Sequence, residues 1–94
     1  MIYVWDEHKN DLNVKKHGIS FEEASTVFER PDSIVFDDPD HSEDEERFLI
    51  IGFSYVSNLC VVCWCERGDN VIRIISARCA TKSETDTFWE FSGR

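Results

Sequence analysis

Apolar and polar positions follow different periods along the first part of the chain. Residues 2–5 (IYVW) are apolar and β-prone, which predicts a short strand that starts the sheet or packs beside it. From Asp6 onward the pattern is polar with helical spacing, and Leu12 is expected to face inward. Glycine readily adopts the left-handed conformation that ends many helices. The first helix is therefore expected to end at His17-Gly18.

A second helix is predicted directly after this stop. Ser20 and Glu23 have the spacing of a capping box, in which the hydroxyl caps free N–H groups and the carboxylate reaches back. One apolar face follows at helical spacing, made of Phe21, Ala24, Val27 and Phe28. Because Pro31 disfavours a helical conformation in the residue before it, this helix is expected to end near Glu29.

The rest of the chain is predicted to form strands and then one helix. Apolar, β-prone runs predict strands at 33–36, 47–53, 59–66 and 70–77. The turns at 55–58 and 67–69 are short, so the strands that they join are expected to be antiparallel neighbours. A second capping box, Thr81 with Glu84, opens the closing helix. The prediction is one α+β domain over residues 1–94, with two N-terminal helices, an antiparallel sheet of about four strands and a C-terminal helix.

The composition favours a folded protein of the cytoplasm. Hydrophobic residues make up 41% of the 94 residues, which is enough for a compact core. The apolar runs at 49–53 and 59–65 stop well short of membrane-spanning length. Asp6 and Glu7 bring charge into the N-terminal segment, which does not fit a signal peptide. We therefore expect a cytoplasmic protein with no membrane association.

Four cysteines raise the question of disulfides or a metal site. Cys60, Cys63 and Cys65 fall in one predicted strand, where Cys63 and Cys65 share a face and Cys60 points to the other. Neighbours on one strand do not easily bridge, and thiols on two faces do not gather around zinc. Cys79 stands alone in the sequence. The expectation is buried free thiols, with no metal and no cofactor.

The net charge of −9 counts against a nucleic-acid partner. Seven acidic residues lie between Asp37 and Glu46, so most of the excess is local, and a basic patch elsewhere could still bind RNA. The acidic segment includes His41 but lacks the spaced ligands and central glycine of an EF-hand. A solvated loop or a docking site for a basic partner is expected there rather than a metal site.

The sequence contains no phosphate-binding loop, nucleophile elbow, zinc-protease motif or dinucleotide fingerprint, so the candidate chemistry lies in its basic side chains. Lys15, Lys16 and His17 cluster at the end of the first helix, where the helix dipole favours cations. A charged helix cap is one interpretation. The other is that His17 transfers a proton while the lysines help to hold a phosphate, since histidine titrates near neutral pH.

Four arginines are spread over the predicted sheet: Arg47, Arg67, Arg73 and Arg78. Arg73 interrupts an apolar run, where a charge is costly unless it is paired or faces a wet groove. Strict alternation places Arg73 and Arg78 on opposite faces, so both serve one site only if the strand bulges or ends before Arg78. Each arginine is either a structural ion pair, with Glu46, Glu66 or Asp69, or a guanidinium fork on a phosphate.

Two blocks of sequence are similar to a known family. The first comprises 5–9 (WDEHK), Asn13 and 16–24 (KHGISFEEA). The second comprises 38–42 (DPDHS), 46–48 (ERF), 51–52 (IG), 66–67 (ER) and 72–78 (IRIISAR). In order and separation, these segments resemble the BrnT family of bacterial type II toxins over nearly the whole chain.

This resemblance implies a RelE-like fold and a metal-independent endoribonuclease that cleaves mRNA and so inhibits translation. It also implies a cognate antitoxin with a ribbon-helix-helix DNA-binding domain, which neutralises the toxin. Operator DNA would be bound only by the toxin–antitoxin complex. A homodimer, or a heterotetramer with the antitoxin, would fit such a system.

The positions that match the family pattern supply the candidate site. Lys16, His17, Arg73 and Arg78 are predicted to be catalytic, and Arg47 and Arg67, together with Lys15, are predicted to bind RNA. The hypothesis is that His17 or Lys16 handles a proton while Arg73 and Arg78 bind the phosphate.

Two other functions stay open at this point. A non-catalytic interaction module would keep the fold and the partner-binding surface, and the net charge of −9 favours it. A DNA-binding regulator that acts alone would need a strongly basic recognition helix, and none of the three predicted helices is strongly basic.

Overall fold

The computed structural model describes residues 1–38 and 45–92. In chain order the elements are β1 (Ile2–Val4), α1 (Glu7–His17), α2 (Phe21–Thr26), a 3-10 turn (Val27–Glu29), β2 (Ile34–Asp37), β3 (Phe48–Phe53), β4 (Leu59–Gly68), β5 (Val71–Cys79) and α3 (Lys82–Phe91). No helix in the described ranges has the length and apolar character to cross a membrane. The predicted α+β class, with two helices before the main sheet and one after it, is confirmed.

The five strands of the described residues belong to one sheet, in the spatial order β1-β5-β4-β3-β2. Strands β2 to β5 form an antiparallel meander. Its β3–β4 and β4–β5 pairings are those that the short turns predict. Strand β1 is an edge strand and runs parallel to β5, with Tyr3 opposite Ile72. The predicted number of about four strands is therefore one too low, because residues 2–4 join the sheet beside its last strand.

The sheet separates two apolar layers. On one face, which we call the α2 face, the core includes Ile19, Phe21, Ala24, Val27, Ile50, Val62 and Ile74. On the opposite face, the α3 face, Phe88 of α3 packs with Ile51 and Val61. Since successive residues of a strand point to opposite faces, each of the central strands contributes to both layers.

The predicted helix boundaries are confirmed where they depend on caps. Asp6 caps α1, and Gly18 ends it in the left-handed conformation with φ 74°. Thr81 and Glu84 form the predicted capping box at the start of α3. In each case the signal lies in a few adjacent residues, which explains why the sequence alone was enough.

The capping box predicted for α2 is only half formed. The Ser20 hydroxyl accepts from the backbone N–H of Glu23, as expected. The Glu23 carboxylate does not reach back, and instead its Oε2 accepts from Ser54 Oγ at 2.6 Å and from Asn58 Nδ2 at 2.8 Å. The carboxylate thus ties α2 to the turn between β3 and β4, where the buried Ser54 hydroxyl needs an acceptor.

The expectation that Leu12 faces inward is wrong. Leu12 is 51% exposed, while the buried residues of α1 are Asn10 and Asn13. Helix α1 packs against strand β5, and its buried asparagines meet backbone groups there and at the start of α2. Backbone N–H and C=O groups need hydrogen-bond partners, so amide side chains are favoured on this face of the helix.

The cysteine predictions are partly confirmed. Cys60 belongs to the α2 face, and Cys63 and Cys65 lie on the α3 face, as alternation required. All four thiols are free, but only Cys60 and Cys65 are buried, whereas Cys63 is partly buried and Cys79 is exposed. Cys79, however, does not stand alone, because it lies directly opposite Cys60 in the ladder between β4 and β5. The sequence could not show this pairing, since it depends on the register of the two strands.

Candidate active site

Strand β5 carries a bulge in its middle. Ser76 lies opposite Cys63, but the next pair along the ladder is Trp64 with Ile74. Ile75 is therefore an extra residue in β5, without a partner of its own on β4. A bulge of this kind changes which side chains share a face on its two sides.

The bulge brings three polar residues of β5 to the α3 face. Arg73 lies opposite Cys65, Ser76 opposite Cys63, and Arg78 opposite Val61. Positions 61, 63 and 65 are alternate residues of one strand, so they and their partners on β5 share a face. The condition under which both arginines could serve one site is thus met. Ser76 stands between them, about 7 Å along the strand from each.

A groove lies between α1 and the bulged part of β5, and we call it the α1–β5 groove. Its volume is about 300 Å³, and it is lined by Lys9, Leu12, Asn13, Lys16, His17, Ile75 and Ser76. Two of the predicted catalytic residues, Lys16 and His17, thus share one groove, and both are exposed. Lys15 is also exposed but does not line the groove.

Asn13 fixes α1 against β5 at this groove. Its Nδ2 donates to Ala77 O at 2.7 Å and to Ile19 O at 2.8 Å, and Ala77 N donates to Asn13 Oδ1 at 3.2 Å. The partner strand β1 covers only Val71–Arg73 of the outer edge of β5. Beyond the end of β1, the Asn13 amide therefore makes the hydrogen bonds that a neighbouring strand would make with β5. These bonds hold the C-terminal part of α1 next to Ser76.

Three arginines surround the buried Cys65 on the α3 face, and we call Arg47, Arg67 and Arg73 the arginine cluster. Burial raises the pKa of the Cys65 thiol, with the charges of Glu45, Arg67, Arg73 and Arg47 also acting on it. Cys65 is 1% exposed. Because Arg73 and Ser76 are neighbours on this face, the arginine cluster and the α1–β5 groove adjoin at Ser76.

Two members of the arginine cluster share one carboxylate. Arg67 Nη1 donates to Glu45 Oε2 at 2.8 Å, and Arg47 Nε lies 3.5 Å from Glu45 Oε1. Desolvation raises the pKa of Glu45, but the hydrogen bond and charge of Arg67 and the charge of Arg47 outweigh it, so the pKa is lowered overall. The structural partner of both arginines is thus Glu45 rather than Glu46, Glu66 or Asp69.

Arg78 is held by the closing helix. Its Nη1 and Nη2 donate to Glu84 Oε1 and Oε2, both at 2.7 Å, in the parallel fork that guanidinium and carboxylate groups favour. The hydrogen bond from Arg78 lowers the pKa of Glu84 to about 2, and the same bond raises the pKa of Arg78. Glu84 also accepts from Thr81 N in the capping box.

Arg73 differs from the other three arginines. Within residues 1–38 and 45–92 it has no ion pair with a carboxylate, although it is only partly exposed. A partly buried guanidinium with no acidic partner has a strong preference for an incoming anion. The catalytic role of Arg73, like the roles of the other predicted site residues, stays a prediction.

Sequence reasoning did not assign three polar residues of the groove to the site: Lys9, Asn13 and Ser76. The helical spacing of Lys9, Asn13 and Lys16 places them on one side of α1, and this signal could have added Lys9 to the predicted site. Ser76 could not be found in this way, because its position depends on the bulge at Ile75.

The predictions for the acidic segment fall mostly outside the described residues. His41 and the family-like segment 38–42 overlap the undescribed residues 39–44. In the parts of the chain that the structure does describe, no three His, Cys, Asp or Glu side chains gather as metal ligands would.

Comparisons with known proteins identify the family of the chain. The family model for the BrnT ribonuclease toxin of type II toxin–antitoxin systems matches residues 5–84. The crystal structure of the Brucella abortus ribonuclease toxin BrnT is similar, with a TM-score of 0.66 and 25% identity, over 87% of this chain and 100% of that chain. No curated protein matches the chain. Since the family model covers most of its length, the chain belongs to the BrnT family of ribonuclease toxins of type II toxin–antitoxin systems.

Proposed function

We propose that this protein is a metal-independent endoribonuclease that cleaves mRNA at the α1–β5 groove and so inhibits translation in the cytoplasm. The observation that carries the proposal is the junction at Ser76. There the groove that contains Lys16 and His17 adjoins the α3 face, on which Arg73 has no acidic partner among the described residues. A proton-transfer group and a free cation are thus close to one strand segment.

The proposed reaction is an internal attack within the RNA. His17 or Lys16 takes the proton from a ribose 2′-hydroxyl, and the oxygen attacks the adjacent phosphorus. The 5′ oxygen of the next nucleotide leaves and receives a proton, giving a 2′,3′-cyclic phosphate and a 5′-hydroxyl. Arg73 stabilises the negative charge that builds up on the phosphate oxygens during the attack.

The arginine cluster and Lys15 extend this site into a surface for the RNA backbone. Arg47 and Arg67 lie on the same side as Arg73, around Cys65, and can follow successive phosphates. Arg78 can bind a phosphate only if it releases the Glu84 carboxylate. We therefore assign Arg78 a smaller role in phosphate binding than Arg73. No step of this reaction requires a metal ion.

The cognate antitoxin is the proposed protein partner. We infer a ribbon-helix-helix antitoxin that neutralises the toxin, and operator DNA that is bound only by the complex. The net charge of −9 supports this division of labour, because the toxin alone would be repelled by duplex DNA. A homodimer or a heterotetramer with the antitoxin is the proposed assembly.

Expression and cleavage assays test the proposal together. Expression of the protein alone should stop cell growth, and expression with the product of the adjacent gene should restore it. Purified protein should cut RNA in the presence of a chelator, and a single 2′-deoxy substitution should block cleavage at that position only. Cleavage that survives the 2′-deoxy substitution, or that requires an added metal ion, would refute the mechanism.

One observation favours a second candidate, a non-catalytic module that keeps only the partner-binding surface. Three of the four predicted arginines are already engaged by carboxylates: Arg47 and Arg67 by Glu45, and Arg78 by Glu84. This candidate predicts a stable complex with the antitoxin but neither growth arrest nor RNA cleavage by the purified protein.

A further inference from the structure

Two free thiols face each other across strands β4 and β5. Cys60 and Cys79 are direct partners in the ladder, and cross-strand partners point to the same face of a sheet. Cys60 is fully buried, and Cys79 is exposed. Neither residue takes part in the proposed RNA cleavage.

The ladder places the two thiols at a position where a disulfide can form. Ala80 N donates to Leu59 O at 2.9 Å, which makes these two a hydrogen-bonded pair. Pairs alternate along an antiparallel ladder, so the next pair, Cys60 with Cys79, is not hydrogen-bonded. Such pairs have Cα atoms about 4.5 Å apart, which lies within the range of about 4.4–6.8 Å that a disulfide spans.

The hydrogen bonds of Ala77 support this register independently. Its N–H and C=O both bond to the Asn13 side chain, on the side away from β4. A residue whose backbone groups turn away from a neighbouring strand belongs to a pair that is not hydrogen-bonded. Ala77 and Cys79 are two positions apart in β5, so Cys79 has the same orientation.

We propose that Cys60 and Cys79 are a redox modification site, and that peroxide closes them into a cross-strand disulfide. The exposed Cys79 thiolate attacks one oxygen of hydrogen peroxide, forming a sulfenic acid and releasing hydroxide, which takes up the thiol proton to give water. The sulfur of Cys60 then attacks the Cys79 sulfur, and the sulfenic hydroxyl leaves with the Cys60 proton as a second water. Two thiols are oxidised, and one peroxide is reduced to two waters.

The other two cysteines do not form a comparable pair. Cys63 and Cys65 are two positions apart on one strand, about 7 Å along it, and cannot bridge while β4 keeps its conformation. Burial also raises the pKa of the Cys63 thiol to about 12, which leaves little thiolate to react. For Cys60, burial has the same effect on the pKa, to about 12, which suits the thiol that reacts second.

The disulfide would fix the end of β5 between the predicted site residue Arg78 and the start of α3. Arg78 directly precedes Cys79, and Thr81, the cap of α3, follows two residues later. The bridge would also close the loop that contains the β4–β5 hairpin, which restricts the unfolded chain and stabilises the folded one. Oxidation is therefore expected to raise the Tm of the protein.

The test is a thiol count on the full-length chain after treatment with hydrogen peroxide. We expect two of the four thiols to disappear and the mass to fall by two hydrogens. Peptide mapping should link Cys60 to Cys79. Dithiothreitol should restore the two thiols and the original mass, and should reverse the rise in Tm. Cys79→Ser should abolish the bridge, whereas Cys63→Ser, the matched control on β4, should leave it intact. A sulfinic acid at Cys79 without a link, or a bridge between any other two cysteines, would overturn the proposal.

Discussion

Asn13 of α1 satisfies both backbone groups of Ala77 in β5, accepting from its N–H at 3.2 Å and donating to its C=O at 2.7 Å. This contact joins the helix that carries Lys16 and His17 to the strand that carries Ser76. Asn13→Ala removes the contact with Ala77 and a third bond to Ile19. We expect a loss of about 2–4 kcal/mol in the free energy of unfolding, measured by urea denaturation.

Two further variants serve as comparisons for Asn13→Ala. Asn13→Asp keeps the acceptor for Ala77 N–H but loses the amide donors, so its loss of stability should be comparable or larger, since a carboxylate would face two carbonyl oxygens. The exposed Asp11→Ala on the same helix should change stability by less than about 0.5 kcal/mol. A loss below about 1 kcal/mol for Asn13→Ala would show that this contact does not hold α1 in place.

The ion pair of Glu84 with Arg78 predicts a pH dependence of stability. In the folded protein the pKa of Glu84 is lowered from 4.5 to about 2. A lowered carboxylate pKa stabilises the fold at pH above the unfolded value, and this contribution is lost as the pH falls from about 4.5 to about 2. Glu84→Gln keeps an acceptor for the cap of α3 but removes the charge, and should cost about 1–2 kcal/mol at pH 7 after solvent screening.

Urea denaturation of both proteins at pH 7, 4.5 and 2.5 checks this prediction. The difference in the free energy of unfolding should shrink with falling pH, to about a quarter of its pH 7 value at pH 2.5, because a folded-state pKa of about 2 still leaves most of the Glu84 carboxylate ionised there. The control is Asp86→Asn, whose carboxylate makes an exposed 3.4 Å ion pair with Lys82 in the same helix. It should cost less than about 0.5 kcal/mol. A difference for Glu84→Gln that stays constant with pH would contradict the assigned pKa.

Glu45 is expected to compete with RNA for the arginine cluster. Its carboxylate forms ion pairs with Arg47 and Arg67, the two side chains that are proposed to bind phosphates of the RNA backbone. Glu45→Gln should therefore strengthen binding of a non-cleavable 2′-deoxy oligonucleotide by about two- to fivefold. Fluorescence anisotropy at several salt concentrations measures this change, and the salt dependence should become steeper.

The neighbouring Glu46→Gln is the matched control, because it makes the same change of charge at an exposed side chain. Its effect on affinity should be smaller. Equal effects of the two variants would mean that only the net charge matters, and that Glu45 does not occupy a phosphate position.

Local signals explain how much of the fold could be predicted. The stop at Gly18 and the capping box of Thr81 and Glu84 are each decided by a few adjacent residues, and both are present in the structure. The side of α1 that faces inward was not predictable from hydrophobicity. Asn13 is buried because it meets the backbone of β5, and a pattern of apolar residues carries no information about such a contact.

Register explains most of what could not be predicted. The bulge at Ile75 decides that Arg73, Ser76 and Arg78 share a face, but nothing in the run 72–78 marks which residue bulges. The pairing of Cys60 with Cys79 depends on the same register. Sequence reasoning could name the basic residues of the candidate site, whereas only the structure shows which of them already hold a carboxylate.

The rate of RNA cleavage by His17→Ala/Arg73→Ala, under single-turnover conditions with a chelator, tests whether the groove and Arg73 form the site of RNA cleavage. The matched control is His8→Ala/Arg30→Ala, which removes the same residue types from positions outside the groove and the arginine cluster. We expect a fall of at least about 100-fold for the first variant, with its fold intact by circular dichroism, and a near-normal rate for the control. A normal rate for the first variant would contradict the proposed site.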